Sequence, residues 1–175
     1  MNTANRLTMI RIILIPAFLA VLYLGFFGSS YVAMAIFIAA GLTDIADGYV
    51  ARRRNQVTDF GKFMDPLADK ILVLSAMLWF IEQGVMPAWV VLIVVIREFM
   101  VTALRLIAAD NGRVIAAGFS GKIKTVVTMV SLTAMFLDLK PWMLYTCIAL
   151  ITITTLASGV EYFIKNKDVF NWKKI

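Results

Sequence analysis

The chain has 175 residues, 61% of them hydrophobic and 16% charged, with 17 Lys and Arg against 11 Asp and Glu. Its apolar residues come in runs of spanning length rather than one-sided stripes, the profile of an integral membrane protein, with no length left for a soluble domain. The basic excess lacks the clustered patch of a nucleic-acid binder and suits loops facing anionic lipid, while the lone Cys147 and the absence of His exclude an internal disulfide and a Cys-based metal site.

The hydropathy predicts an all-α bundle of six transmembrane helices in a single membrane domain over 1–175, with spans near 9–27, 31–54, 59–83, 88–110, 121–139 and 142–165. The first span follows Arg6 and Arg11, a basic start that a signal peptide shares. Its apolar run is long for a signal, and another membrane segment follows it, which favours a helix that stays. "GFFGSS", "EQGVMP" and "DLKP" punctuate the turns.

The second and third spans, joined by the short link around "NQVTD", carry most of the acidic charge. On the second, Asp44, Asp47, Gly48 and Ala51 stand at i, i+3, i+4 and i+7 and share one helical face. On the third, Gly61, Asp65, Ala68 and Asp69 stand at i, i+4, i+7 and i+8 and repeat the arrangement. Antiparallel spans would set the four carboxylates within roughly one to two turns of a common depth. The small residues would let the helices approach. Pro66 should kink the third span.

Four carboxylates in so small a volume would take up protons unless cations compensate. Without His or Cys, hard divalent ions are the suitable ones, and two metals at ~3.5–4 Å are a recurring device of phosphoryl chemistry. Arg52, Arg53, Arg54 and Lys62 lie on the same side, where phosphate oxygens could meet them, although Arg53 and Arg54 read first as helix-end anchors.

The fourth span and the loop after it read "IREFMVTALRLIAADNGRVIAAGFSGKIKTVVTM". Arg97 and Arg105 are eight residues apart and near one face, and Arg97 lies deep enough to need a partner, for which Glu98 is available. Ser120 reads as a helix cap before Gly121. Trp79, Trp89, Trp142 and Trp172 fall near expected interfaces. Lys and Arg concentrate at the termini and around the second and fourth connections, so the positive-inside rule puts those parts, and the aspartates' opening, in the cytoplasm.

The pattern D-x-x-D-G-x-x-A-R from Asp44 to Arg52, an eight-residue gap, then G-x-x-x-D-x-x-x-D from Gly61 to Asp69 resembles the signature of the CDP-alcohol phosphotransferase family at every position. The resemblance implies a six-span membrane enzyme, usually a homodimer, that transfers a phosphoalcohol from a CDP-linked donor to a hydroxyl and releases CMP. It implies that Asp44, Asp47, Asp65 and Asp69 hold two divalent cations, Mg²⁺ or Mn²⁺, with Asp69 also the general base. It further implies that Gly48 and Gly61 make room for the CDP moiety and that Arg52 contacts its diphosphate. Asn5, Thr8 and Arg11, which cap the first span or border the nucleotide, are left outside the site.

"NRLTMIRIILIP", "IREFMVTALR" and "GKIKT" resemble the branch of that family that joins CDP-diacylglycerol to sn-glycerol 3-phosphate. Several cations beside a metal site also suit an anionic acceptor. Arg97, Arg105, Lys122 and Lys124 are the candidates for its phosphate, and Arg113 stands outside that set. A bacterial inner membrane fits a chain with no targeting extension. A sister enzyme using inositol phosphate, serine or a lipid as acceptor is the nearest alternative. An ion transporter would also place aspartates in membrane helices, but it leaves the matched glycines and the Arg-rich helix end without a purpose.

Overall fold

The computed structural model describes the backbone of residues 3–54, 59–113, 115–116 and 118–169, and the side chains of 9–43, 67–113, 115–116 and 118–169. The described residues form α1 (Thr3–Leu24), α2 (Ser29–Arg54), α3 (Asp59–Glu82), α4 (Ala88–Asp110), α5 (Phe119–Met135) and α6 (Pro141–Lys165), closed by a 3-10 turn over Lys167–Val169. No strand occurs among them. The helices follow the apolar runs, and the breaks fall where backbone geometry demands glycine. Gly28, at φ 83°, closes the turn between α1 and α2, and Gly112, at φ 70°, follows α4, a left-handed region costly for residues with a Cβ.

Two boundaries differ instructively from the hydropathy. Helix α1 begins at Thr3, well before the apolar run, because hydropathy reports the expected membrane depth and not backbone hydrogen bonding. Helix α5 stops at Met135, short of the apolar run's end at Leu139. Helix α3 runs through Pro66 as one continuous α-helix. Among the described residues, α6 is long and apolar enough to cross a membrane, and Met9–Leu24 and Ser29–Thr43 are shorter apolar stretches.

The chain divides into two compact units, Met1–Glu82 with Leu132–Leu139, and Gln83–Ser131 with Lys140–Ile175. In the first, α1 packs on both α2 and α3. An aromatic cluster forms its core: Phe136 lies edge-on to Phe18 at 5.9 Å and 4.8 Å from Phe80, and Phe37 sits 5.9 Å from Phe18. Such tilted and edge-to-face pairs satisfy the rings' quadrupoles beyond plain contact. Trp79, expected near an interface, is drawn into this cluster, stacked on Phe136 at 6.0 Å. Tyr23 near the end of α1 donates to Glu82 Oε2 at the end of α3, at 2.6 Å, so these helices finish on the same side.

In the second unit, α4 packs against α6 around Val101, Leu104 and Tyr162. The pairings rise in step along both helices, from Arg97 against Gly159 through Arg105 with Tyr162 to Arg113 with Asp168. Helices α4 and α6 therefore run parallel, as a chain that reverses direction through α5 requires.

Candidate active site

The helices that the signature needs are formed: Asp44, Asp47, Gly48 and Arg52 fall within α2, and Gly61, Asp65 and Asp69 within α3. Of these, the side chains of Asp44, Asp47, Gly48, Arg52, Gly61 and Asp65 lie outside the described residues, and so does the expected convergence of the four carboxylates. Asp69 is described, half-buried and directly after the buried Ala68. Among the described residues, to which Asp69 alone of the four contributes its side chain, no group of three or more His, Cys, Asp or Glu gathers as a metal site.

The same unit holds a residue that the sequence reading set aside. Arg11 of α1 is fully buried, and α1 packs on the two helices that bear the aspartates. A guanidinium stripped of water requires anionic or hydrogen-bonding company, so its burial ties it to the interior of this unit. The available signal was its depth beyond Thr3 on a helix with no other charge inside its apolar run.

The basic residues of the second unit separate into distinct environments. Arg97 Nη1 and Lys124 Nζ donate to one oxygen, Glu98 Oε1, at 2.8 and 3.0 Å, and Lys124 is 6% exposed. Two cations on one carboxylate leave a net positive charge where water is largely excluded, which favours an anionic ligand. The guanidinium stem crosses close to two glycines. A Cβ at Gly159 would stand 3.2 Å from Arg97 Cγ, and one at Gly121 would stand 3.4 Å from Nη2. Arg97 Nε is buried with no hydrogen-bond partner among the described residues, and so are the hydroxyls of Thr128 and Thr155.

Arg105 is held elsewhere: its Nε donates to the Tyr162 hydroxyl at 3.0 Å, and its guanidinium carbon sits 5.6 Å from the centroid of that ring, within cation–π range. Lys122 is exposed. Two residues before Lys124 on a helix of 3.6 residues per turn, it points about 200° away. Arg113 pairs with Asp168 at 2.5 Å in the open, and that guanidinium holds the Asp168 carboxyl below its ordinary range. Ser120 lies inside the first turn of α5 rather than capping it, and its hydroxyl donates to the Glu161 carboxylate.

A groove of about 480 Å³ runs between α4 and α6, its mostly apolar wall interrupted by Arg97, Thr155 and Tyr162. The second unit thus offers a desolvated cation pair, a carboxylate that sets its spacing, and unused donors beside open space. Groups of this chemistry are suited to an anion such as a phosphate.

The family described as CDP-alcohol phosphatidyltransferase matches the chain over residues 1–157. A Bacillus subtilis (strain 168) protein named CDP-diacylglycerol–glycerol-3-phosphate 3-phosphatidyltransferase is 39% identical, over 94% of this chain and 95% of its own length. Proteins of the same name from Escherichia coli (strain K12) and Salmonella typhimurium (strain LT2) are each 39% identical, over 92% of this chain and 92% of their own.

Proposed function

Because this chain belongs to the CDP-alcohol phosphatidyltransferase family of membrane enzymes, we propose that it transfers the phosphatidyl group of CDP-diacylglycerol to sn-glycerol 3-phosphate, giving phosphatidylglycerol phosphate and CMP. The names of its relatives support the reaction. The observation that carries the acceptor is the pairing of the buried Lys124 and the partly buried Arg97 on a single Glu98 oxygen, a site whose net charge calls for a phosphate.

The family is generally dependent on divalent metals. Asp44, Asp47, Asp65 and Asp69 fit that requirement, being hard oxygen donors at helical spacing on two sequential helices, and would hold two ions, Mg²⁺ or Mn²⁺. When bound, such ions neutralise a diphosphate and stabilise a phosphate leaving group. The chain's own residues do the rest. Gly48 and Gly61 leave room for the nucleotide, and Arg52 offers a charge-assisted fork to the diphosphate.

Arg97 and Lys124 hold the acceptor's phosphate, and Arg105 and Lys122 add positive potential that draws it in. The acceptor hydroxyl attacks the β-phosphorus, its new P–O bond forming as the P–O bond to CMP breaks. Asp69 receives the hydroxyl proton. A carboxylate is a weak base for an alcohol, so this transfer comes late, once the attacking oxygen has become acidic.

In this reading the protein is a single, multi-pass domain of six spans in the bacterial inner membrane, with its termini and active site toward the cytoplasm. It works as a homodimer. The lipid donor enters sideways from the bilayer, and glycerol 3-phosphate arrives from the cytosol. Purified enzyme in detergent, given CDP-diacylglycerol and Mg²⁺ or Mn²⁺ and offered glycerol 3-phosphate, inositol phosphate or serine in parallel, tests the assignment. CMP release with glycerol 3-phosphate alone is the expected result. Release with inositol phosphate instead would reassign the acceptor, and none with any acceptor would remove the enzyme reading.

A further inference from the structure

Two buried hydroxyls are left over once the phosphate has been placed. Thr155 on α6 is fully buried and Thr128 on α5 is 2% exposed, yet neither Oγ1 has a hydrogen-bond partner among the described residues. A helical Thr ordinarily bonds the carbonyl one turn back. Thr125, Thr146, Thr152 and Thr154 do so, at 3.1, 2.9, 2.8 and 2.7 Å. Thr155 is the immediate neighbour of Thr154 and does not.

Both unsatisfied hydroxyls stand one helical turn from a residue that belongs to the cation pair or touches it. Thr128 stands four residues after Lys124 on one face of α5, and Thr155 stands four before Gly159, the residue that Arg97 crosses. Each is therefore about 6 Å, one helical turn, along its helix from a residue that holds or touches the pair. Thr155 also shares the wall of the α4–α6 groove with Arg97, so there is space against it. Buried polar groups are almost always satisfied, and unused hydroxyls one turn from the proposed phosphate-binding pair point to a ligand with oxygens beyond its phosphate.

We infer that Thr155 and Thr128 are specificity-determining residues that hydrogen-bond the hydroxyl groups of a polyol phosphate, above all the non-reacting C2 hydroxyl of glycerol 3-phosphate. The inference rests on the reading that Arg97 and Lys124 hold the acceptor phosphate. The cations secure any phosphate; the two hydroxyls reject an acceptor that lacks the second oxygen, since a site built to bond a substrate hydroxyl is left with unpaired groups when that hydroxyl is missing.

The test compares glycerol 3-phosphate with 3-hydroxypropyl phosphate, which lacks only the C2 hydroxyl, by CMP release from wild-type enzyme and from Thr155→Val and Thr128→Val. Wild type should prefer glycerol 3-phosphate by at least about 100-fold in kcat/KM. At least one Val variant should shrink that ratio about tenfold or more, and the corresponding Ser variant should restore it. Inorganic phosphate, as a competitive inhibitor against glycerol 3-phosphate, should bind all variants alike. An unchanged ratio in both Val variants, or a wild type that does not discriminate, would overturn the inference. Phosphate that fails to compete even with wild type would instead overturn the placement of the acceptor phosphate on Arg97 and Lys124.

Discussion

Arg97 of α4 and Lys124 of α5 meet on one carboxylate oxygen, Glu98 Oε1, at 2.8 and 3.0 Å. Their cationic nitrogens are thereby held within two hydrogen-bond lengths of each other, a spacing that neither helix could impose alone. Removing one member of a desolvated charge pair commonly costs 2 kcal/mol or more in binding. Lys124→Ala should therefore raise KM for glycerol 3-phosphate by about 30-fold, with kcat and KM for CDP-diacylglycerol little changed. Steady-state CMP release with each substrate varied in turn checks the split; an equal rise in both KM values would remove Lys124 from the acceptor site.

Gly159 sits where an added Cβ would meet Arg97 Cγ at 3.2 Å, and that stem is restrained beyond the contact by the Glu98 bond and by Gly121 near Nη2. Gly159→Ala gains helix propensity of up to ~1 kcal/mol but crowds a packed side chain at ~1–3 kcal/mol. The stability change should be a loss of about 1 kcal/mol, read as a slightly lowered unfolding midpoint in detergent. The acceptor KM should rise several-fold, and more than for Gly121→Ala, whose added Cβ would have 3.4 Å.

Metal dependence is expected of the proposed carboxylate set. Chelation with EDTA should abolish CMP release, and Mg²⁺ or Mn²⁺ should restore it. Asp65→Asn should lower kcat by about 10³-fold or more, as expected when a metal-bound electrostatic device is lost. Asp69→Asn should do likewise by removing the proton acceptor as well. Full turnover in Asp69→Asn would remove its role as base.

The Arg113–Asp168 pair ties the loop after α4 to the 3-10 turn after α6. The guanidinium lowers the Asp168 carboxyl below its ordinary range, so the pair's contribution is complete above the unfolded carboxyl value and is lost as pH falls through the lower folded one. Asp168→Asn should thus be slightly less stable than wild type at pH 7, and the difference should fade below about pH 4. Being exposed, the pair should matter little to turnover. Thermal unfolding of both proteins across that range would show it; a difference that persists at low pH would assign the stabilisation to packing.

Much of the architecture was legible in the sequence because helix formation and face sharing are local. The apolar runs locate α2, α3, α4 and α6 closely, and the three- and four-residue spacings put Asp44 beside Asp47 and Asp65 beside Asp69 on their helices. Where the reading fell short, partner choice was at issue. Trp79 reads as an interface residue, and its stacking on Phe136 is a contact with a distant position that local spacing does not name. Arg11 was set aside and proves fully buried, since its surroundings come from other helices.

The sequence by itself determined the family: carboxylates at helical spacing, glycines among them and arginine at the helix end make up its signature, a local pattern that can be read without the tertiary fold. Only the tertiary structure decided which cations act together. Arg97, Arg105, Lys122 and Lys124 look alike in a one-dimensional reading, but packing places Lys124 on Glu98 with Arg97, sends Arg105 to Tyr162 and leaves Lys122 in the open. The reason is physical: a charge's worth depends on burial and on partners brought from distant positions, and neither is encoded in the spacing of a single helix.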